Sequence, residues 1–383
     1  MKRATQAELH AEISAWNSKH PIGTAVCSDV YPDRTHKTRT EAMALFDQKA
    51  IIYLEGFNGY FDLGEVRPVD QSGVQVGSHA PAAPAGQSSS THENVSGPRV
   101  AVLFPGQGAQ KKGMGQDLFP HYPELVRRAD EILGYSIERL CLEDPDKQLN
   151  LTQYTQPALY VVSALGHLYK CTQDPQLAEA DCYLGHSLGE YNALLAAGVF
   201  DFETGLRLVV RRGQLMAEAS GGAMAAVVRV DVERLRQVLA EHGLDEIDLA
   251  NYNTPTQTVI SGPAEATAKA VDVLGSAGIL AVPLKVSAAF HSRYMRDAQE
   301  RFGAFLQEFE FAAPKHPVIA NATALPYAPD AVRETLAAQI VSPVKWTDSV
   351  LHAQGAGDVE FIEIGSNILT KMVAEIRAGA MSA

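Results

Sequence analysis

The stretch Cys182-Tyr183-Leu184-Gly185-His186-Ser187-Leu188-Gly189-Glu190-Tyr191 contains a G-x-S-x-G pattern. A short apolar run precedes the pattern, and a helix-like run from Leu188 to Ala197 follows it. A serine on a sharp strand-to-helix turn is exposed above the edge of the sheet, and the two glycines avoid side-chain clashes within the turn. The pattern therefore predicts that Ser187 is a nucleophile. The alternative is a glycine-rich turn that carries an ordinary serine.

Composition narrows the class of protein. The 383 residues are 46% hydrophobic and 20% charged, as in ordinary soluble globular domains, and the length allows two or three of them. Since no apolar run approaches the ~18 residues of a membrane span and the N-terminus lacks the apolar core of a signal peptide, we expect a cytoplasmic protein without a membrane partner. A formal charge of −13 argues against nucleic acid as the main partner. The four cysteines are far apart and predict neither a disulfide framework nor a metal site.

A small α+β module is predicted for residues 1–72, and its few apolar residues would make it only marginally stable alone. Residues 73–98 are rich in Ala, Pro, Ser and Gly without periodicity, which predicts a flexible linker. The elements predicted in the module are a helix over residues 1–20, a short helix over 41–46, and a hairpin of strands 50–54 and 60–63 with an Asn58-Gly59 turn.

Strands and helices alternate through residues 99–220 and again through residues 287–383, which is typical of an α/β domain. Between these two segments, residues 221–286 follow the order β-α-β-β-α-β of a ferredoxin-like unit. We therefore predict an α/β fold: an α/β-hydrolase-like large subdomain with an inserted ferredoxin-like small subdomain, preceded by the N-terminal α+β module.

Arg212 is the second candidate for a functional residue. It lies on the apolar face of a predicted helix over residues 202–219, four positions after Leu208 and three before Leu215. No acid lies four residues before or after it in the helix, and an unpaired guanidinium on a buried face is costly. Either the side chain reaches solvent or a distant carboxylate, or the missing anion is a substrate.

A serine nucleophile also needs a base, and histidine is the usual one. His186 adjoins Ser187, but successive side chains on such a turn diverge, so we expect a structural or site-lining role for it. His291 follows a predicted strand, where catalytic side chains collect in α/β folds, and small residues precede it. It is the better candidate for the base, and the alternative is a solvated loop histidine.

Six motifs occur in one order along residues 99–378, and this part of the chain resembles malonyl-CoA:acyl carrier protein transacylases and the acyltransferase domains of polyketide synthases. It is most similar to the free-standing acyltransferases that serve polyketide assembly lines in trans. The motifs are Phe104-Pro105-Gly106-Gln107-Gly108-Ala109-Gln110, Thr155-Gln156-Pro157-Ala158, Gly185-His186-Ser187-Leu188-Gly189-Glu190-Tyr191, Arg212-Gly213-x-x-Met216, Gly222-Ala223-Met224-Ala225 and Ala289-Phe290-His291-Ser292.

The resemblance implies a ping-pong mechanism. Ser187 would take the malonyl group from malonyl-CoA and pass it to the phosphopantetheine thiol of an acyl carrier protein, with His291 as base and acid. The backbone carbonyl of Gln339 would orient His291 in place of a triad carboxylate. The N–H groups of Gln107 and Leu188 would form the oxyanion hole.

The resemblance also implies which residues contact the substrate. Arg212 would hold the malonyl carboxylate bidentately, a geometry that lysine would not reproduce. Phe290 stands at a position linked to the choice of acyl group and fits malonyl rather than methylmalonyl. Gln156, Met216 and Asn253 complete the implied substrate-binding set. We expect no bound cofactor or metal, and a monomer whose protein partners are acyl carrier proteins.

Two alternatives remain. One is an acyl hydrolase of the same fold that removes acyl groups from carrier proteins; retention of Arg212 counts against it, because related hydrolases commonly lose the carboxylate-binding arginine. The other is an inactive scaffold, which the complete set of Ser187, His291 and Arg212 makes unfavourable. For residues 1–72, docking to a partner and passive packing are both open.

Overall fold

The computed structural model describes residues 6–28, 35–38, 42–45, 49–54, 60–63, 66–69, 99–286, 288–355 and 357–380. The chain forms two compact units, Met1–Ser96 and Gly97–Ala383. The predicted linker over residues 73–98 lies outside the described residues.

The first unit combines one helix with two small antiparallel sheets. Its described elements are α1 (Gln6–Asn17), β1 (Ala25–Ser28), β2 (His36–Lys37), β3 (Met43–Leu45), β4 (Lys49–Tyr53), β5 (Tyr60–Asp62) and β6 (Val66–Pro68). The sheets have the strand orders β2-β1-β6 and β3-β4-β5. Ile13 and Trp16 of α1 pack against a small core that includes Val26, Ile52 and Leu54.

One prediction for this unit is wrong. The helix predicted over residues 41–46 is absent, since Met43–Leu45 forms a strand that pairs with β4. A six-residue helix needs tertiary contacts to offset its nucleation, and here strand β4 supplies backbone partners for the extended form instead. The predicted hairpin is confirmed in its strands, because β4 and β5 pair antiparallel. Its predicted Asn58-Gly59 turn lies outside the described residues.

The second unit begins with a strand and three helices that lead to the G-x-S-x-G segment. The elements are β7 (Arg99–Phe104), α2 (Pro123–Leu133), α3 (Ile137–Leu142), α4 (Thr152–Gln173), β8 (Cys182–Gly185), α5 (Gly189–Ala196) and α6 (Phe202–Glu218). Helix α4 starts at Thr152 and contains Pro157 in its interior. Proline lies inside the helix here, although its missing N–H leaves the Gln153 carbonyl without the usual intrahelical donor.

Four strands and two helices follow as one contiguous segment. They are β9 (Gly222–Val228), α7 (Val232–Glu241), β10 (Asp248–Thr254), β11 (Gln257–Pro263), α8 (Ala264–Ser276) and β12 (Leu280–Pro283). The strands form an antiparallel sheet in the order β10-β11-β9-β12. Apolar residues of α7 and α8, among them Leu235, Leu239 and Leu274, pack on one face of this sheet with Val227 and Ile260.

The chain then completes the sheet that contains β7 and β8. The remaining elements are α9 (Arg296–Leu306), β13 (Val318–Ile319), α10 (Val332–Gln339), α11 (Trp346–Gln354), β14 (Val359–Glu363) and α12 (Ile368–Ala380). Strands β13, β8, β7 and β14 lie side by side in that order, and all three neighbouring pairs are parallel. The result is a mixed α/β fold with a central parallel sheet.

Apolar residues cover both faces of the parallel sheet, as such sheets require. Val102 and Phe104 of β7 belong to a core with residues of α4 and α6, whereas Ala101 and Leu103 belong to a second core with residues of α11 and α12. Strand β8, which precedes Ser187, lies in the interior of the sheet and is buried throughout. Among the described helices, none is both long enough and apolar enough to cross a membrane.

Candidate active site

Ser187 occupies the sharp turn between β8 and α5 that the sequence predicts. Its φ angle of 52° lies in the left-handed region, which is strained for a residue with a side chain. Glycine is required on both sides of it: a Cβ on Gly185 would lie 2.0 Å from the carbonyl carbon of Gly189, and a Cβ on Gly189 would lie 2.0 Å from the Phe104 carbonyl oxygen. These close backbone approaches make the turn tight enough to present the serine above the sheet edge.

His291 contacts Ser187 directly. Its Nε2 atom lies 2.7 Å from Ser187 Oγ, and its Nδ1 atom lies 3.0 Å from the carbonyl oxygen of Gln339 and 3.2 Å from that of Ser342. Since carbonyl oxygens only accept hydrogen bonds, Nδ1 carries the proton and Nε2 is left to accept from the serine hydroxyl. The backbone of Gln339 thus contacts His291 where the resemblance implied, and Ser342 adds a second acceptor that sequence reasoning missed.

The imidazole is held in its neutral form. His291 is buried, and burial, followed by the positive charge of Arg212, lowers the pKa of His291 from 6.5 to about 3. A neutral imidazole can accept a proton from a serine hydroxyl, whereas a charged one cannot. The geometry and the protonation state therefore both suit general-base chemistry.

Arg212 is buried, 1% exposed, and its guanidinium reaches Ser187. Nη2 lies 3.2 Å from Ser187 Oγ and 3.1 Å from Gln339 Oε1, while Nη1 donates to Gln156 Oε1 at 2.7 Å. Among the described residues, no carboxylate forms an ion pair with Arg212, and its Nε–H has no acceptor. Its hydrogen-bond partners are neutral oxygens, and Glu190 interacts with it electrostatically without a direct bond, so a bound carboxylate would give the guanidinium a direct ionic partner.

Gln156 lies directly against Arg212, Met216 lies next to Gln156, and Phe290 immediately precedes His291 in the chain. Gln156 binds Arg212 through Oε1 and donates from Nε2 to Met216 Sδ at 3.5 Å. Met216 and Phe290 are both buried members of the hydrophobic core that also contains Leu188. Gln156 therefore lies two contacts from the nucleophile and Met216 three.

Gln107 and Leu188 lie on the two segments that meet at the elbow, the turn between β8 and α5 that carries Ser187. A Cβ on Gly106 would lie 2.2 Å from the His186 carbonyl oxygen, so the loop after β7 packs directly on the turn. Within the described residues, no acceptor is bonded to the backbone N–H of Gln107 or of Leu188. Two free N–H groups beside the serine are what an oxyanion hole requires.

Asn253 is one step removed from the reacting atoms. Its Oδ1 lies 2.8 Å from His186 Nε2, and its Nδ2 donates to Gln257. Burial lowers the pKa of His186, whose ring also lies 5.5 Å from that of Trp346. Buried Asn253 and half-buried His186 thus form a hydrogen-bonded pair behind the elbow.

Three residues around the elbow were missed by sequence reasoning: Asn321, Glu190 and Tyr327. Asn321 Oδ1 accepts from the Ser187 N–H, and the Asn321 backbone N–H donates to Glu190, which also accepts from the Tyr327 hydroxyl. Burial raises the pKa of Glu190 to about 7. The position of Asn321 at the carboxyl end of a predicted parallel strand was the available signal.

A half-buried serine bonded to a buried histidine on a strand–turn–helix elbow, with no carboxylate on that histidine among the described residues, defines a serine acyl-transfer site rather than a full Ser-His-Asp triad. The model of the family described as the acyl transferase domain matches residues 102–376. The chain belongs to this family.

Named relatives agree with that assignment. The chain is 49% identical over 284 residues to the polyketide biosynthesis malonyl CoA-acyl carrier protein transacylase PksC of Bacillus subtilis, covering 73% of this chain and 98% of PksC. It is 50% identical over 281 residues to the polyketide biosynthesis protein PksE of the same organism, but spans only 36% of that protein's length.

Solved structures give the same result. A malonyl CoA-acyl carrier protein transacylase from Burkholderia pseudomallei is 49% identical with a TM-score of 0.71, and the match covers 74% of this chain and 99% of that one. A malonyl-transacylase solved in complex with a type II PKS acyl-carrier protein, PlMCAT:AntF, is 35% identical with a TM-score of 0.68, over 73% of this chain and 93% of that one.

Proposed function

We propose that this chain moves a malonyl group from malonyl-CoA, through an acyl-enzyme on Ser187, to the phosphopantetheine thiol of an acyl carrier protein in polyketide biosynthesis. The observation that carries the proposal is the contact of 3.2 Å between Arg212 Nη2 and Ser187 Oγ. A buried guanidinium without a carboxylate partner, so close to the nucleophile, suits an acyl group that carries its own carboxylate.

In the first half-reaction, the Ser187 hydroxyl attacks the thioester carbonyl carbon and its proton passes to His291 Nε2. The tetrahedral oxyanion then collapses, the C–S bond breaks, and His291 returns the proton to the sulfur of CoA. The N–H groups of Gln107 and Leu188 are assigned to the oxyanion, where each donor typically lowers the barrier by ~3 kcal/mol.

In the second half-reaction, the thiol of the carrier's phosphopantetheine gives its proton to His291 and attacks the Ser187 ester. The C–O bond breaks and the proton returns to the serine oxygen, which regenerates the enzyme. The carbonyl oxygens of Gln339 and Ser342 keep the proton on His291 Nδ1 throughout, so that Nε2 alone exchanges protons. The reaction needs no cofactor beyond the pantetheine thiols of the two substrates.

Arg212 is the proposed source of substrate selectivity. A malonyl carboxylate would pair with it bidentately, whereas an acetyl group would leave the guanidinium buried and unpaired. Gln156 and Gln339 hold the guanidinium from the opposite sides, and Met216 and Phe290 provide the apolar wall. Phenylalanine at position 290 favours malonyl over the bulkier methylmalonyl.

The organisation proposed for the chain is a hydrolase-like subdomain of residues 99–220 and 287–383 with a ferredoxin-like insertion of residues 221–286. The strand order β10-β11-β9-β12 with two helices supports the insertion. For residues 1–72 we propose docking to a partner of the assembly line. A monomeric state and a cytoplasmic location stay predictions.

Transfer and hydrolysis are separated by one experiment. The protein is mixed with malonyl-CoA and a phosphopantetheinylated carrier protein, and intact masses are recorded. Malonyl-carrier is the expected product, and its formation should require Arg212. Free malonate without malonyl-carrier would contradict the proposal and would support the hydrolase alternative.

A further inference from the structure

The backbone around Ser187 is held by side chains from elsewhere in the chain. The residue is strained, with a φ of 52°, and such strain persists only where the surroundings over-determine the conformation. Neither peptide group of Ser187 is paired within a strand. Its N–H donates to Asn321 Oδ1 at 2.6 Å, and its C=O accepts from Gln339 Nε2 at 2.9 Å and, at the longer distance of 3.2 Å, from the Glu190 backbone N–H.

Asn321 bridges the turn. Its carboxamide accepts from the Ser187 N–H and donates from Nδ2 to the Gly185 carbonyl at 2.6 Å, so it binds the backbone on both sides of His186. The parallel register places it there: Ile319 of β13 lies opposite Leu184 of β8, and two residues further along each chain bring position 321 beside position 186. Because one partner only donates and the other only accepts, the amide has a single satisfying orientation.

Asn321 is itself fixed by the helix that follows the elbow. Its backbone N–H donates to Glu190 Oε2 at 2.8 Å, and the other Glu190 oxygen accepts from the Tyr327 hydroxyl. Glu190 lies in the first turn of α5, so the contacts form a closed ring from the turn to α5, to Asn321 and back to the turn. Both Asn321 and Glu190 are buried, which removes competition from water.

Gln339 fixes the next peptide group. A trans peptide directs its C=O and N–H in opposite directions, so a side chain that holds the Ser187 carbonyl also sets where the Leu188 N–H points. Gln339 Nε2 holds that carbonyl, and Gln339 Oε1 accepts from Arg212 Nη2 at 3.1 Å. Again only one amide orientation satisfies both partners, since the guanidinium only donates and the carbonyl only accepts.

We infer that the side chains of Asn321 and Gln339 are positioning residues that fix the peptide groups before and after Ser187 and thereby aim the Leu188 N–H at the oxyanion. This inference rests on the proposed function, because it takes Ser187 as the nucleophile and Leu188 as an oxyanion donor. The role is separate from the backbone contact of Gln339 with His291, which any side chain at that position would retain.

The test uses the full chain with three substitutions. Gln339→Met keeps an unbranched side chain but loses both polar contacts, whereas Gln339→Glu keeps an acceptor for Arg212, now charged, and loses the donor to the Ser187 carbonyl. Asn321→Ala removes the side chain that binds the Ser187 N–H and the Gly185 carbonyl. Gln307→Met, at an exposed position after α9, is the matched control.

Two readouts are measured for each variant: the single-turnover rate of malonylation at saturating malonyl-CoA, and the rate of covalent labelling by a fluorophosphonate. The fluorophosphonate needs the serine and the oxyanion hole but has no carboxylate for Arg212. We expect both rates to fall about 10- to 100-fold in all three variants, since misdirecting one donor resembles its partial loss. Gln307→Met should match the unaltered protein.

Wild-type labelling rates in both Gln339 variants would overturn the inference and leave Gln339 as a partner of Arg212 alone. If Asn321→Ala fails to fold by circular dichroism, the two Gln339 variants decide. Ser187→Ala distinguishes a failure of this inference from a failure of the proposed function. Covalent malonylation of Ser187→Ala would contradict the proposed function itself, whatever the results for the other variants.

Discussion

Two groups that can each carry a positive charge, the Arg212 guanidinium and the His291 imidazole, lie within hydrogen-bond distance of Ser187 Oγ. Arg212 is buried and charged, and His291, also buried, is driven to its neutral form by burial and by that charge. A base that stays neutral well below its ordinary pKa can act over a wide pH range. At the scale of single residues, burial therefore sets the chemistry as much as residue identity does.

This predicts an unusual pH profile for malonylation. Because the pKa of His291 in the free protein is lowered to about 3, kcat/KM for malonyl-CoA should show no loss with a midpoint near 6.5 as the pH falls toward about 5. Below pH 6.5, His291 binds fewer protons in the folded protein than in the unfolded chain. The free energy of unfolding therefore decreases as the pH is lowered from 6.5, so thermal unfolding is measured in parallel.

A midpoint near 6.5 in a protein that stays folded would contradict this prediction. Glu190 titrates in the same range, because burial raises its pKa to about 7. The profile is therefore repeated with Glu190→Gln. A midpoint that persists in this variant belongs to the histidine rather than to Glu190.

Arg212 predicts a change in substrate preference. Arg212→Ala removes the partner of the malonyl carboxylate, and truncating one member of a buried charge pair costs about 2–5 kcal/mol. We expect kcat/KM for malonyl-CoA to fall at least 30-fold, roughly as that energy dictates, and kcat/KM for acetyl-CoA to stay constant or rise. Arg207→Ala, exposed on the same helix, is the control; equal losses for both substrates would exclude a role in selectivity.

Residues whose type and local sequence pattern indicate a function could be predicted from the sequence. Ser187 had its turn pattern, and Arg212 stood out as a charge on an apolar face. Asn321 and Glu190 were missed because their importance lies in backbone contacts between segments 131 residues apart, which no local pattern encodes. Gln339 was known only through its backbone, and its side-chain contacts depend on the packing of α10.

At the scale of elements, the elbow between β8 and α5 is the feature with the least freedom. Gly189→Ala would place a methyl group 2.0 Å from the Phe104 carbonyl oxygen, and backbone cannot move aside cheaply. We expect the free energy of unfolding, measured with urea, to fall by about 3 kcal/mol or more, with loss of malonylation.

The matched substitution is Gly275→Ala, in α8, where an added Cβ meets nothing within 4 Å. Since alanine is the better helix former, this change should raise stability by about 0.5–1 kcal/mol. If the two substitutions had the same effect, the close approach of β7 to the elbow would not be what requires glycine at position 189.

Elements with a strong apolar period were predictable, including both helices and all four strands of the segment from β9 to β12. Short elements were not. The sequence of Met43–Leu45 is compatible with a helix or a strand, because three consecutive apolar residues show neither a helical nor a strand period. The pairing with β4 selects the strand. The start of α4 is equally hard to predict, because the proline in its sixth position is typical of the first turn of a helix.

At the scale of the whole molecule, the chain consists of two units with different expected roles. The match to the acyl transferase family begins at residue 102, and the first unit ends at Ser96. Deleting residues 1–95 should leave the rate of malonyl transfer to an isolated carrier protein unchanged, because every site residue lies in the second unit. The same deletion should slow transfer when the carrier is part of a full assembly line. Equal performance of both proteins in both assays would end the docking proposal.

The proposed mechanism requires the malonyl group to be attached to Ser187. The direct measurement is the intact mass of the protein after brief mixing with malonyl-CoA, followed by peptide mapping, for the unaltered chain and for Ser187→Ala. We predict one added malonyl group, on the peptide that contains Ser187, and none on the variant. A malonyl adduct on Ser187→Ala, or on any other residue of the unaltered chain, would contradict it.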